Sequence, residues 1–221
     1  MVSLNPFRKS KGNLQIIRSI GDHIETCIGK IAFVMHEKES PLVHVDVYVV
    51  RGMGSHQCQY LITSGMSEKP MPVPEGAEGG RYAELVIALP HDWPLSPEAF
   101  KDEANYWPVR VLKNLARFPH ENKTWLYEGH STHWVNPPAP IASNTTMTSL
   151  VLLRPRLIPE ESQCVHVSKE KCVRLWAVYP VYHEEVDLKE RYGSGKLDEL
   201  FDRNGVTELL DPGRQTVAQI T

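Results

Sequence analysis

The sequence is short of cysteine, of long apolar runs and of net positive charge, and each shortage removes a class of protein. Four cysteines, Cys27, Cys58, Cys164 and Cys172, contain no CxxC pair and are too sparse to build a disulfide scaffold. Reduced, mostly buried thiols are therefore expected, although Cys164 and Cys172 can face each other across a hairpin as a redox pair. No apolar stretch approaches the ~18 residues needed to cross a bilayer, and MVSLNPFRKSKGN at the start lacks the apolar core of a secretory signal. The expected location is cytoplasmic, with no membrane partner. Lys and Arg number 24 against 27 Asp and Glu, a net charge of −3. Nucleic-acid affinity comes from clustered basic side chains that displace counterions, so nucleic acid is not an expected partner. The local patch Arg8, Lys9 and Lys11 reads as a solvated tail.

Catalytic signatures are scarce as well. There is no GxSxG, phosphate loop, GxGxxG or HExxH. Ser64 in TSGMS lies at a strand end before Gly65, but a nucleophile elbow requires a helix next, and MSEKPMPVPEG cannot form one. Ser64 and Ser67 more readily bond loop backbone. Ten histidines invite a metal reading, and HSTH sets His130 and His133 three apart, with His120, Glu121 and Glu128 nearby. Gly129 and the prolines 137 and 138 make a helix there improbable, so hydrogen-bonded loop histidines are expected, with no metal and no cofactor. Glu160–Glu161 and Glu184–Glu185 follow turn or helix-start signals and read as solvated faces or helix N-terminal charges.

What the sequence does contain is a long excursion between two apolar runs. YLIT and YAELVIAL favour buried strands, whereas Gly65, Pro70, Pro72, Pro74, Gly76, Gly79 and Gly80 stop the intervening backbone from continuing either ladder. A presented loop of roughly 15 residues is expected, longer than most connections in a compact domain. Upstream, Leu14, Ile17, Ile20, Ile24 and Ile28 draw one helical stripe, capped by Asn13 and ended by Gly29. IAFVMHE and LVHVDVYVV read as strands joined through EKESP. In the second, Val43, Val45, Val47 and Val49 alternate with His44, Asp46, Tyr48 and Val50. His44, Asp46 and Tyr48 form either a proton-transfer or ligand row, or a solvated or helix-rim face of a half-exposed sheet, with Asp46 held by a nearby donor such as an arginine.

Downstream, Ser96 before Pro97 starts a short helix, and NYWPVRVLKNLARFP continues as a second. Its stripe is Trp107, Val111, Leu115 and Phe118, widened by Leu112. Pro108 belongs in its first turn, and Pro119 ends it. TWLY is a short strand; TSLVLLRP from Thr148 and CVRLWAVYPVY from Cys172 are buried ones. Helices follow from His183 or Glu184 through Arg191 and over Lys196 to Phe201. No repeat or linker divides the chain, so one domain over 1–221 is expected, with its core at about 14–210.

The order of these pieces resembles one family. Tyr60 with TSGMSEKPM, the strand RYAELVIALP, then WPVRVLKNLARFPHEN, TWLYEGH and His133–Trp134 looks like the Suppressor of fused domain family in its bacterial, single-domain form, over roughly Gly21 to Leu210. The resemblance implies an α+β fold, a twisted mixed sheet covered by helices, with no established enzymatic activity. The animal protein binds transcription factors between this domain and a second one, which this sequence does not include. Some bacterial relatives are described as antitoxins or immunity proteins. Tyr60 and Glu68 match the family's tyrosine and acidic position around the S-G-x-S turn, Glu68 being one methylene longer than the animal aspartate.

A protein partner, such as a toxin neutralised by occlusion, is thus expected at Tyr60, Ser64, Met66, Glu68 and Met71. Tyr82, Trp125 and Trp134 are further residues of interface type, with Trp125 favoured as core. Two rival readings are a hydrolase using His44, Asp46 and the His120–His133 loop, and an adaptor in a larger assembly.

Overall fold

A β-branched, alternating sequence builds a sheet, and apolar stripes on four helices cover it. The computed structural model describes residues 12–37, 42–52 and 58–218. Helix α1 (Leu14–Cys27) is capped as expected: the Asn13 side chain accepts from the Gln15 and Ile16 amides. Its buried face is Ile16, Ile20 and Ile24, while Leu14 is exposed and Ile17 half-buried, so the stripe is rotated from the expected one. Each fully buried isoleucine contributes about 1.5–3 kcal/mol of transfer free energy.

Strands β1 (Gly29–Met35), β2 (Asp46–Gly52), β3 (Cys58–Ser64), β4 (Ala83–Pro90), β5 (Ser131–His133), β6 (Ser149–Leu153), β7 (Cys164–His166) and β8 (Cys172–Val181) form one eight-stranded mixed sheet. The order is β1-β2-β3-β4-β8-β6-β5, with β7 also paired to β8. All pairs are antiparallel except β4 with β8. The expected EKESP connection falls partly outside the described residues, as does the tail of Arg8, Lys9 and Lys11. TWLY forms no strand; the short edge strand lies further on, at β5.

Both sheet faces are covered, which explains the near-continuous burial of β2, β3 and β4. On one face Tyr48, Val50, Tyr60 and Ile62 pack with α1, α3 (His183–Tyr192) and α4 (Ser194–Arg203). On the other, Val47, Val49, Leu61 and Leu85 pack with α2 (Glu103–Asn122). The period-two alternation of β2 is therefore real, but it sorts side chains between two cores rather than between core and solvent.

The two α2 prolines illustrate how tertiary contacts override a local rule. The helix starts at Glu103, capped by Asp102, so Pro108 lies in the second turn and leaves the Ala104 carbonyl without its helical donor. The Asn144 side-chain Nδ2 donates to that carbonyl at 3.0 Å. Pro119 does not end the helix, which runs on to Asn122 and stops where Lys123 turns left-handed. The cysteine expectation also needs correcting: Cys164 and Cys172 form a disulfide across the β7–β8 hairpin, whose pairing brings their Cα atoms to 5.9 Å. Cys27 and Cys58 are free thiols. No helix among the described residues is long and apolar enough to cross a membrane.

Candidate functional site

The loop between β3 and β4 folds back onto the domain instead of standing away from it. Gly65 turns the chain with φ 137°, and a Cβ there would lie 1.9 Å from the His44 carbonyl oxygen, so only glycine fits. A single turn of 3₁₀ helix, Met66–Glu68, follows. Met66 and Met71 enter the core beside α2; His120 Nε2 bonds the Met66 carbonyl at 2.8 Å, and the Met71 amide donates to the Arg81 carbonyl.

Beneath the turn lies a carboxylate that the sequence reading passed over. Glu84, on β4, is wholly buried. Its Oε1 accepts from the Gly65 amide (2.8 Å), the Ser67 amide (2.9 Å) and the Ser67 hydroxyl (2.6 Å), and its Oε2 accepts from the Thr63 hydroxyl (2.6 Å). Thr63 Oγ1 in turn accepts from the Leu85 amide. The carboxylate thus gathers the donors that a reversing loop leaves unpaired, and buried donors without partners are costly. Lys171, from the β7–β8 turn, donates to the Ser67 carbonyl at 2.9 Å and stands 3.8 Å over the Tyr82 ring. Burial pulls the Lys171 amine below its ordinary pKa, and the Glu84 charge offsets part of that. The signal available in the sequence was one glutamate inside the otherwise apolar YAELVIAL.

Four of the five residues expected to touch a partner are therefore interior. Tyr60, Ser64, Met66 and Met71 are 0–3% exposed, and Tyr60 donates its hydroxyl to the Leu157 carbonyl. Their side chains support the loop from below and offer a partner no surface in this conformation. Glu68 is half-buried and accepts weakly from the His44 amide at 3.5 Å. The outer ridge is made by Lys69, Pro70, Pro72, Pro74 and Glu75.

Beside the turn, Asp46 is buried as well. Its carboxylate receives His36 Nδ1 (2.9 Å), His44 Nε2 (3.1 Å) and the Glu37 amide (2.9 Å). Glu37 accepts from the Val45 amide and pairs with Arg117 of α2. The row is thus neither a solvated rim nor a free ligand row. Asp46 ties the start of β2 to His36 and Glu37 beyond β1, using two histidines rather than an arginine. Burial raises the Tyr48 phenol above its ordinary pKa, and the Ser64 hydroxyl lowers it in part.

The remaining histidines do not join this cluster. His120 is engaged at Met66, His130 packs edge-on to Trp125 with ring centroids 4.6 Å apart, and His133 Nδ1 bonds the Ser149 hydroxyl at 2.7 Å. Of the groups in the hydrolase reading, His44 and Asp46 are in contact, whereas His120, His130 and His133 are each engaged elsewhere. Among the described residues no group of three or more His, Cys, Asp or Glu side chains is placed to hold a metal ion.

Two further acids repeat the Glu84 arrangement. Glu185, expected at a solvated face or helix start, is the N3 residue of α3 and is wholly buried. It accepts from the Tyr182 and Val217 amides and takes Arg214 in a two-pronged ion pair of 2.7 and 2.6 Å. Glu208 accepts from the Arg156 and Leu157 amides.

Taken together these features define a class: a mixed α+β domain, helices on both sheet faces, with buried carboxylates fastening its connecting segments. The family model described as Suppressor of fused protein (SUFU) matches residues 41–215, well over half of the sequence, and the chain belongs to that family. A suppressor of fused homologue from Neisseria gonorrhoeae FA 1090 has the same fold, with 15% identity and a TM-score of 0.62 over 93% of this chain and 96% of its own. The crystal structure of the Sufu–Fu complex is similar at 13% identity and a TM-score of 0.61, over 96% of this chain and 95% of that one. Drosophila Suppressor of Fused gives 13% identity and 0.60 over 93% of this chain, which spans only 51% of the fly structure. A search of curated proteins returns no match.

Proposed function

We propose that this chain is a non-enzymatic protein-binding domain that acts by occluding its partner, as an immunity protein or antitoxin against a toxin in the cytoplasm. The observation that carries the reading is the fastening of the β3–β4 loop. Glu84, Lys171 and His120 hold its underside, while Glu68, Lys69, Pro70, Pro72 and Glu75 remain at or near the surface. A loop held in one conformation before binding loses less conformational entropy on association than a mobile one, and prolines along its ridge reduce that loss further. Membership of a family that includes a solved Sufu–Fu complex supports protein binding as the use of this fold. The toxin reading rests on the resemblance to bacterial members described as antitoxins.

The test is a pull-down from the native cell extract with the tagged chain at micromolar concentration, repeated with Glu68→Arg and Pro72→Arg. A stoichiometric protein is expected with the parent chain and lost with the variants, whose melting curves stay unchanged. Repeated recovery of no protein would refute the proposal. A partner that arrests growth when expressed alone, and is rescued by this chain, supports the toxin reading. A harmless partner makes the domain an adaptor.

A further inference from the structure

Across the C-terminal end of α2 from the loop lies a cleft of about 320 Å³, at the small end of the ~300–1,000 Å³ usual for ligand sites. Leu115 and Phe118 of α2, Trp125 and Leu126 beyond it, and Leu150 and Leu152 of β6 supply an apolar wall. Polar groups gather on one side, at the start of β5. Lys189 of α3 reaches over the strand and donates to the Ser131 hydroxyl at 2.9 Å, and the His130 imidazole lines the wall next to Ser131. Lys189 has no carboxylate partner among the described residues. A half-buried ammonium whose bonded neighbour is a neutral hydroxyl keeps donors for an anion, and apolar walls beside it strengthen that attraction by lowering the local dielectric.

We propose that this cleft binds a small amphipathic monocarboxylate, an aliphatic or aryl acid, with its carboxylate on Lys189 Nζ and its apolar body against Trp125, Leu115, Leu150 and Leu152. One ammonium matches one negative charge, and the apolar wall beside it matches a hydrocarbon body. The apolar side favours an acid with a hydrocarbon body: a polar one would lose water from its own polar groups against that wall without gaining hydrogen bonds there. The Trp125 ring, edge-on to His130 and with its centroid 5.5 Å from that of Tyr127, provides a flat side of the cleft. This site does not depend on the loop surface proposed for a protein partner, and the two are separately measurable.

The experiment titrates the full chain with octanoate, 3-phenylpropionate and, as the uncharged control, octanamide, following the Trp125 indole N–H by NMR and the heat by calorimetry. Saturable binding of the acids is expected, with octanamide at least tenfold weaker. Lys189→Met is expected to erase the difference between acid and amide while the melting curve reports an intact fold. Thr132→Trp, which lines the cleft opposite Leu150 on the neighbouring strand, is expected to block all three probes. The proposal is overturned if acid and amide bind alike, if the Trp125 signal does not move at millimolar acid, or if Lys189→Met leaves the preference for acid intact. It is equally overturned if a peptide ending in leucine with a free carboxylate binds and the small acids do not.

Discussion

Replacing Glu84 is the sharpest test of how the β3–β4 loop is held. The carboxylate receives four donors, three on Oε1 and one on Oε2, and two of them are the backbone amides of Gly65 and Ser67. In Glu84→Gln one oxygen becomes an NH2 group, which meets a donor where an acceptor is required, and the surviving bonds lose their charge. Charge-assisted bonds contribute about 1.5–3 kcal/mol each and neutral ones about 0.5–1.5. Loss of that difference at several bonds, reduced by the desolvation no longer needed for a buried charge, puts the cost at about 2–4 kcal/mol.

Glu84→Ala strands two buried amides outright and opens a cavity, for about 4–6 kcal/mol. Urea denaturation measures both, the midpoint shifting at constant slope. Hydrogen exchange provides the local readout: the Gly65 and Ser67 amides should lose protection in Glu84→Gln by more than the global change, while the amides of α1 follow the global change alone. A Glu84→Gln variant within 0.5 kcal/mol of the parent, the scale of an ordinary surface substitution, or one with unchanged protection at Gly65 and Ser67, would refute the fastening argument. Should the alanine variant fail to fold, the glutamine variant still decides.

Gly65→Ala should cost about 2–4 kcal/mol in thermal or urea unfolding, because a Cβ meets the His44 carbonyl at 1.9 Å and the φ of 137° is closed to side chains. The Cys164–Cys172 disulfide closes a segment of eight residues, for which chain entropy predicts about 2–3 kcal/mol of stabilisation. Mass spectrometry of alkylated protein should find the pair oxidised, and reduction should lower the melting temperature of the parent but not of a double alanine variant. Burial raises the Tyr60 and Tyr179 phenols above the ordinary 10.0, so the folded chain keeps these protons where the unfolded chain has released them. Their contribution is complete below about pH 10 and is lost as pH rises towards the folded values. Denaturation midpoints should therefore fall above pH 10, and less steeply in a Tyr60→Phe, Tyr179→Phe variant.

Much of the architecture is legible in residue order because it is local. The β-branched runs of β2, β3, β4 and β8, the Asn13 cap of α1 and the extent of α3 depend on backbone sterics and on neighbours within one or two turns, and each lies close to where the sequence puts it. The S-G-x-S turn and the pieces around it were enough to place the chain in its family.

What the β3–β4 loop does with its side chains was not legible, because a methionine buried under a loop and one displayed on it are the same letter. Met66 and Met71 go inward because α2 and Leu126 offer them a wall, and Ser67 is fixed by Lys171 from 104 residues away. The same holds for Pro119, harmless inside α2, and for Glu84, Glu185 and Glu208. Their charge suggests solvent, but unpaired loop amides converge on them once the sheet has formed. The sequence by itself determined the long strands β2, β3, β4, β6 and β8, the helices apart from the end of α2, and the family. The tertiary structure alone decided which side chains face outward and gathered Trp125, His130 and Lys189 around one cleft, since burial and long-range hydrogen bonds belong to pairs of residues rather than to either residue alone.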